Sequence, residues 1–242
     1  MHLYESIGHG YGAVRRPDPR IGAVIDGALG SAERVVNVGA GSGSYEPEHR
    51  RVVAVEPAWT MVRQRSAGAA PVVRATGTRL PFADRSFDAS LAILTLHHWP
   101  DVEGGLAELT RVARDRVVIL TWDPGFAGFW LTGYFPEILT IDRRIFPAID
   151  LLRGGLGPIA TRPVPVPADC TDGFLGAYWR RPEAYLDPAV RAAISTFSKL
   201  RDVEPILARL ARDLETGAWN ERHGHLLALD ELDLGYRLVV TR

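Results

Sequence analysis

The chain has 242 residues, 46% hydrophobic content and a formal net charge of −1 from 28 basic and 29 acidic side chains. That length suits a single α/β domain spanning 1–242, with an elaborated cap, better than two full domains, and the balanced charge without a basic block argues against a nucleic-acid face. A single cysteine, Cys170, excludes an intrachain disulfide, and neither a signal-peptide core nor an apolar run near the ~18 residues of a membrane span is visible, so a cytoplasmic protein with no membrane partner is expected.

Residues 1–17 read as a polar, aromatic arm with Tyr4, Tyr11, Arg15 and Arg16 ahead of Pro17, either loose or folded over a ligand. The first helix has clear signals: Asp18 to cap, Pro19 at the first position, Ile21, Val24, Ile25 and Ala28 at helical spacing, and Gly30 to end it. Arg34 to Val38 is apolar and β-branched enough for a strand buried on both faces, and it stops at Gly39, Gly41 and Gly43. Glycines there let the backbone turn tightly and bring N–H groups close to a ligand. A second strand, Val52 to Val55, delivers Glu56 at its carboxyl end, where a carboxylate can accept hydrogen bonds from both hydroxyls of a ribose. The glycine spacing is G-x-G-x-G, and the connector 44–51, with Pro47 inside it, holds barely one helical turn. A pyrophosphate needs the N-terminus of a well-formed helix. S-adenosylmethionine (SAM) has no phosphate, so the spacing favours it over a dinucleotide.

Further along, Ala58 to Ser66 reads as a helix carrying Met61, Pro71 to Ala75 as a third strand, Asp88 to Leu94 as a fourth, and Arg116 to Trp122 as a fifth. Asp101 is placed to cap the helix between the last two. From Pro124 the alternation breaks. The segment 124–158 is rich in aromatics (Phe126, Phe129, Trp130, Tyr134, Phe135, Phe146) and reads as a helical lid insertion or as a helical pair extending the core. Ile159 to Val166 reads as a sixth strand that Pro163 and Pro165 keep near an edge, followed by helices around 173–179, 188–200 and 203–215, and Leu234 to Thr241 as the last strand. The expected fold is α/β: a doubly wound, Rossmann-like, seven-stranded sheet, mostly parallel with the last strand antiparallel, whose ligands bind at the strands' carboxyl ends.

Four motifs in order carry a resemblance. VVNVGAGSG (35–43), VVAVEP (52–57), TGTRLPFADRSFD (76–88) and LTLHHWPD (94–101) are similar to those of class I SAM-dependent methyltransferases, in the small-molecule, ubiquinone/menaquinone-methylase-like group. The resemblance implies SAM as cofactor, with S-adenosylhomocysteine (SAH) as its product. It sets Gly39, Ala40 and Gly41 under the methionine portion, Glu56 and Pro57 at the ribose, and Met61 near the adenine. Thr76, Gly77 and Thr78 fall at the adenine amino group, and Leu94 and Thr95 at the end of the fourth strand. Tyr11 and Arg16 of the arm are expected to reach the methionine carboxylate. Departures are Thr76 where the family usually has Asp, Asn37 where Asp is common, and the shortened helix after Gly43.

Methyl transfer from a sulfonium is an in-line displacement that depends mainly on holding nucleophile and methyl at roughly 3–3.5 Å. His97 and His98 are the candidate bases, with packing as the alternative role; adjacent residues of an extended segment face opposite ways, so one of them is expected to face the acceptor. No third ligand is spaced to join His223 and His225, so no metal is expected. The Asn/Asp-Pro-Pro-aromatic motif for planar amide or exocyclic amine nitrogens is absent, and the aromatic segment 126–135 suggests a small, partly apolar acceptor with an oxygen, nitrogen or carbon nucleophile. The competing readings are a non-methylating SAM-binding protein on the same scaffold and an NAD-dependent oxidoreductase. A monomer or a homodimer is expected.

Overall fold

The computed structural model describes residues 15–241, so the expectations for Tyr4 and Tyr11 lie outside the described residues. Helix α1 (Pro19–Leu29) starts as its sequence requires: the Asp18 carboxylate accepts from the Arg20 N–H at 3.0 Å, and Pro19 occupies the first turn without a donor to satisfy. Its buried stripe of Ile21, Ile25, Ala28 and Leu29 packs on one sheet face. Strands β1 (Arg34–Val38) and β2 (Arg51–Val55) pair in parallel, with Val35, Val36 and Val38 of β1 buried. After them come α2 (Trp59–Val62), β3 (Val72–Val73), β4 (Phe87–Ile93), α3 (Val102–Val112) and β5 (Ala113–Trp122). Asp101 caps α3 by accepting from the Gly104 N–H at 2.8 Å.

Beyond β5 lie α4 (Leu131–Tyr134), α5 (Glu137–Ile145), α6 (Ile149–Leu156), β6 (Ile159–Pro163), β7 (Val166–Pro167), α7 (Pro188–Ala192), α8 (Val203–Glu215), α9 (Ala218–His223), β8 (Glu231–Leu232) and β9 (Tyr236–Thr241). The main sheet has seven strands in the order β3-β2-β1-β4-β5-β9-β6. Strands β1 to β5 run parallel, and β9 lies antiparallel between β5 and β6, with β6 at the edge where its prolines are tolerated. This is the doubly wound, Rossmann-like α/β fold expected. The strand order reverses between β1 and β4, and the first crevice opens at their carboxyl ends.

Several local expectations change. The helix expected over 58–66 is the single turn α2, the third strand keeps only two paired residues, and 44–51 carries no helix at all. The stretch 173–179 is a 3-10 turn, Leu175–Tyr178, and 188–200 breaks after α7. Of the two readings of the aromatic insertion, the placement of four of its rings fits the helical pair that extends the core. Phe129, Trp130, Tyr134 and Phe135 are buried in the larger core cluster, where the Trp130 indole meets Trp219 at 5.3 Å and Tyr185 at 5.7 Å between ring centroids. These rings pack the C-terminal helical layer and do not hang over the crevice. Burying several such rings removes more apolar area from water than a flap could spare.

Candidate functional site

A cavity of about 430 Å³ opens at the carboxyl ends of β1, β2 and β4, within the size range of small-molecule sites. Gly39 follows β1 with φ +72, and a Cβ there would meet Thr95 Oγ1 at 2.0 Å. Only glycine allows the β1 turn to pass this close to the end of β4. The Glu56 carboxylate, 6% exposed, is aimed by two backbone donors: the Gly41 N–H to Oε2 at 2.9 Å and the Ala58 N–H to Oε1 at 2.8 Å. Glycine loop and acidic residue therefore fix one another.

A buried ion pair stands in for the missing helix after Gly43. Arg65 donates to both oxygens of Glu46 at 2.8 Å, to the Gly41 carbonyl at 3.2 Å and to the Ala70 carbonyl at 2.9 Å. Glu46 also accepts from the Ala70 N–H at 3.0 Å and from Asn37 Nδ2 at 3.4 Å. The loop is held from outside by side chains, without helical backbone. Asn37 lines the cavity, and its Oδ1 is buried with no hydrogen-bond partner among the described residues.

The structure gathers most of the expected cofactor residues around this space: Gly39, Ala40, Gly41, Glu56, Pro57 and Met61 on one side. Thr76, Gly77, Thr78, Leu94 and Thr95 line the other. Arg16 is exposed and is not among the residues lining the cavity, and its carbonyl accepts from Thr171 Oγ1 at 3.5 Å. Its neighbour Arg15 lines the cavity. Its guanidinium donates to Asp172 at 2.5 and 3.2 Å, and Tyr45 Oη donates to the same carboxylate at 2.8 Å. Burial, then the Asp172 charge, pushes the Tyr45 phenol far up, so it remains a donor. Sequence reasoning also missed Trp99. A Cβ on Gly105 would meet its indole at 2.2 Å and one on Gly77 at 2.9 Å, so two bare backbones form the slot that seats it beside the cavity. The paired glycines of α3 after LHHW were the available signal.

His97 and His98 lie on a 3-10 turn, Leu96–His98, and not on an extended segment, with ring centroids 3.8 Å apart. They still face different spaces. His98 lines the large cavity, whereas His97 lines a second, inner cavity of about 60 Å³, its ring tilted by 30° against Phe146 at 4.2 Å. Arg15 and Leu94 belong to both cavities and form the partition between them. Leu94 holds a φ of +47 there, a costly conformation for a leucine, while its N–H donates to the Leu120 carbonyl at 2.8 Å. Burial first, then the charges of Lys199 and Arg15, lowers the His98 imidazole to about 4. Burial, His98, Lys199 and Arg15 together hold His97 well below its ordinary range. Asp142 also lines the inner cavity, and burial raises its carboxyl to about 6 against the hydrogen bond from Thr196 and the charge of Lys199. His223 and His225 lie elsewhere, in an open groove with Tyr134, Arg209 and Arg222. Among the described residues no three metal-ligating side chains cluster, and no helix is long and apolar enough to cross a membrane.

The family model for a methyltransferase domain matches residues 36–121, the stretch that builds the large cavity. A crystal structure from Anabaena variabilis, provisionally named as a methyltransferase of an antibiotic biosynthesis pathway, superposes with a TM-score of 0.87 at 34% identity. The match covers 95% of this chain and 99% of that one. The demethylmenaquinone methyltransferase of Thermobifida fusca is 36% identical over 102 residues, which is 37% of this chain and 43% of that protein. That of Desulfitobacterium hafniense is 35% identical over 74 residues, 28% of each chain. The matched stretch thus spans less than half the length of these curated relatives. At 14% identity the cyclase SpnF shares the fold alone, with a TM-score of 0.56. The chain belongs to the class I SAM-dependent methyltransferases, and its matched portion is of the ubiquinone/menaquinone-methylase type.

Proposed function

We propose that this protein binds SAM in the large cavity and moves its methyl group to an oxygen, nitrogen or carbon of a small, partly apolar molecule seated in the inner cavity. The observation that carries this reading is the adjacency of the two spaces across Leu94 and Arg15. The residues present fit the cofactor: a glycine cradle that a Cβ would fill, an orphaned Asn37 Oδ1 suited to an ammonium, and a guanidinium at Arg15 suited to a carboxylate. Glu56 is the acceptor for ribose hydroxyls, with Met61, Gly77 and Trp99 walling the adenine end. When bound, SAM supplies an electrophilic methyl on a sulfonium.

The chain's own contribution is mainly positioning. At neutral pH His98 is uncharged and able to accept a proton, but a group titrating at about 4 is a weak base, so its share of the rate is small beside that of alignment. The second cavity, about 60 Å³, takes a compact group.

The test is calorimetry with SAM, SAH and NADH, followed by turnover across an acceptor panel. SAH binding with methyl transfer supports the proposal. Binding without turnover on any acceptor supports a non-methylating SAM protein, in keeping with the fold being shared by a cyclase. NADH binding in place of SAH supports an oxidoreductase.

A further inference from the structure

The inner cavity is apolar apart from a few groups. Trp122, Phe146, Phe174 and Tyr236 supply its aromatic faces; Trp122 Nε1 donates to the Leu234 carbonyl at 2.9 Å, and Tyr236 Oη accepts from the Gly176 N–H at 3.2 Å while keeping its own hydrogen to donate. Arg15, paired with Asp172, and Ser195 and Thr196 also line the cavity. Asp142 and His97 are the further polar groups that can meet a ligand. Asp142, on α5, is buried and receives one side-chain hydrogen bond among the described residues, from Thr196 Oγ1 at 3.0 Å. His97 Nδ1 is buried with no partner among the described residues. Lys199 acts on Asp142 through space but forms no ion pair with it among the described residues. The carboxylate is therefore held in place by Thr196 without a contacting counter-charge.

We infer that Asp142 is a specificity-determining residue of the acceptor site, and that the group it takes is the ammonium of a compact amine enclosed by the aromatic walls. The inference rests on the methyltransferase reading for the word acceptor, but its chemistry stands on the cavity alone. An ammonium supplies the charge-assisted donor that Asp142 lacks. It is also the ligand that ring faces favour over a neutral or anionic one. A space of about 60 Å³ holds a head group of a few heavy atoms, with the reactive end of the molecule directed to the partition at Leu94 and Arg15.

The test uses three probes of one shape, propylamine, 1-propanol and propionate, titrated by NMR into the whole protein with and without SAH. Propylamine should bind about tenfold or more tighter than either, as expected for one buried charge-assisted hydrogen bond. Asp142→Asn should abolish that preference while SAH affinity stays within about twofold, a change too small to signal a lost contact. Equal binding of the three probes, preference for propionate, or an amine preference that survives Asp142→Asn overturns the inference. The ranking in the wild-type protein needs no variant, so the inference can be overturned even where Asp142→Asn does not fold. Failure of SAH to bind counts against the cofactor reading alone, because the amine ranking is also read without it.

Discussion

Glu56 and Gly39 are coupled through a few atoms. The Glu56 carboxylate holds the Gly41 N–H, and Gly39 lets the same loop pass Thr95. Gly39→Ala must add a Cβ into Thr95 at a positive φ, which alone costs roughly 1–2 kcal/mol. We expect SAH affinity to fall by at least about tenfold, with the circular dichroism of the fold retained; unchanged calorimetry would contradict the cradle. Asp142 makes a second prediction at this scale. Its folded value of about 6 lies above the ordinary 3.8, so the unfolded chain gives up this proton first as pH rises and the residue costs stability above that window. Asp142→Asn should therefore raise unfolding free energy by about 1–2 kcal/mol at pH 7, with the gain vanishing below about pH 4, as measured by urea denaturation across pH. Much of this scale was legible in the sequence, because a glycine turn and an acid after successive strands admit few chemistries. Which of the adjacent arginines lines the cavity was not legible, because Arg15 is held there by Asp172, which is remote in sequence. Trp99 and Asp142 were missed for the same reason: their surroundings are assembled by tertiary contacts.

Elements with their own signals formed as their sequences dictate. Helix α1 and helix α3 start at their Asp caps, and β6 sits at the edge its prolines require. Where the chain lacks such signals, tertiary packing decided. The connector 44–51 forgoes a helix because the Glu46–Arg65 pair, with side chains 8% and 5% exposed, satisfies the loop's carbonyl and amide groups instead. Breaking a buried pair leaves an uncompensated charge, so Glu46→Gln should cost about 3–5 kcal/mol in urea unfolding, and Glu46→Leu with Arg65→Met should recover most of it. A double variant no more stable than the single one would contradict this account of the loop. The aromatic insertion shows the limit of composition: rings at 129–135 announce burial, but whether a core or a crevice buries them depends on α8 and α9, whose Leu207, Leu210 and Trp219 share that cluster.

At the scale of the whole molecule, two histidines stand between two cavities, and both are kept neutral by burial. His98 titrates at about 4 in the fold against 6.5 in the open chain, so stability is fully present above about pH 6.5 and is lost as pH falls toward 4. Because Asp142 acts with the opposite sign over the same window, the His98 share is read as a difference: urea midpoints of His98→Asn should fall less between those limits than those of the wild type. For the same reason His98 should place no limb near neutrality in a pH–rate profile of methyl transfer. These features matter only if the crevice at the ends of β1, β2 and β4 holds an adenosyl amino acid. The most direct measurement is titration calorimetry of SAH into the wild-type protein and Glu56→Ala. The account predicts saturable one-site heat for the wild type and a loss of at least about tenfold in affinity for the variant. Absent heat in the wild type, or equal affinity in both proteins, would contradict it.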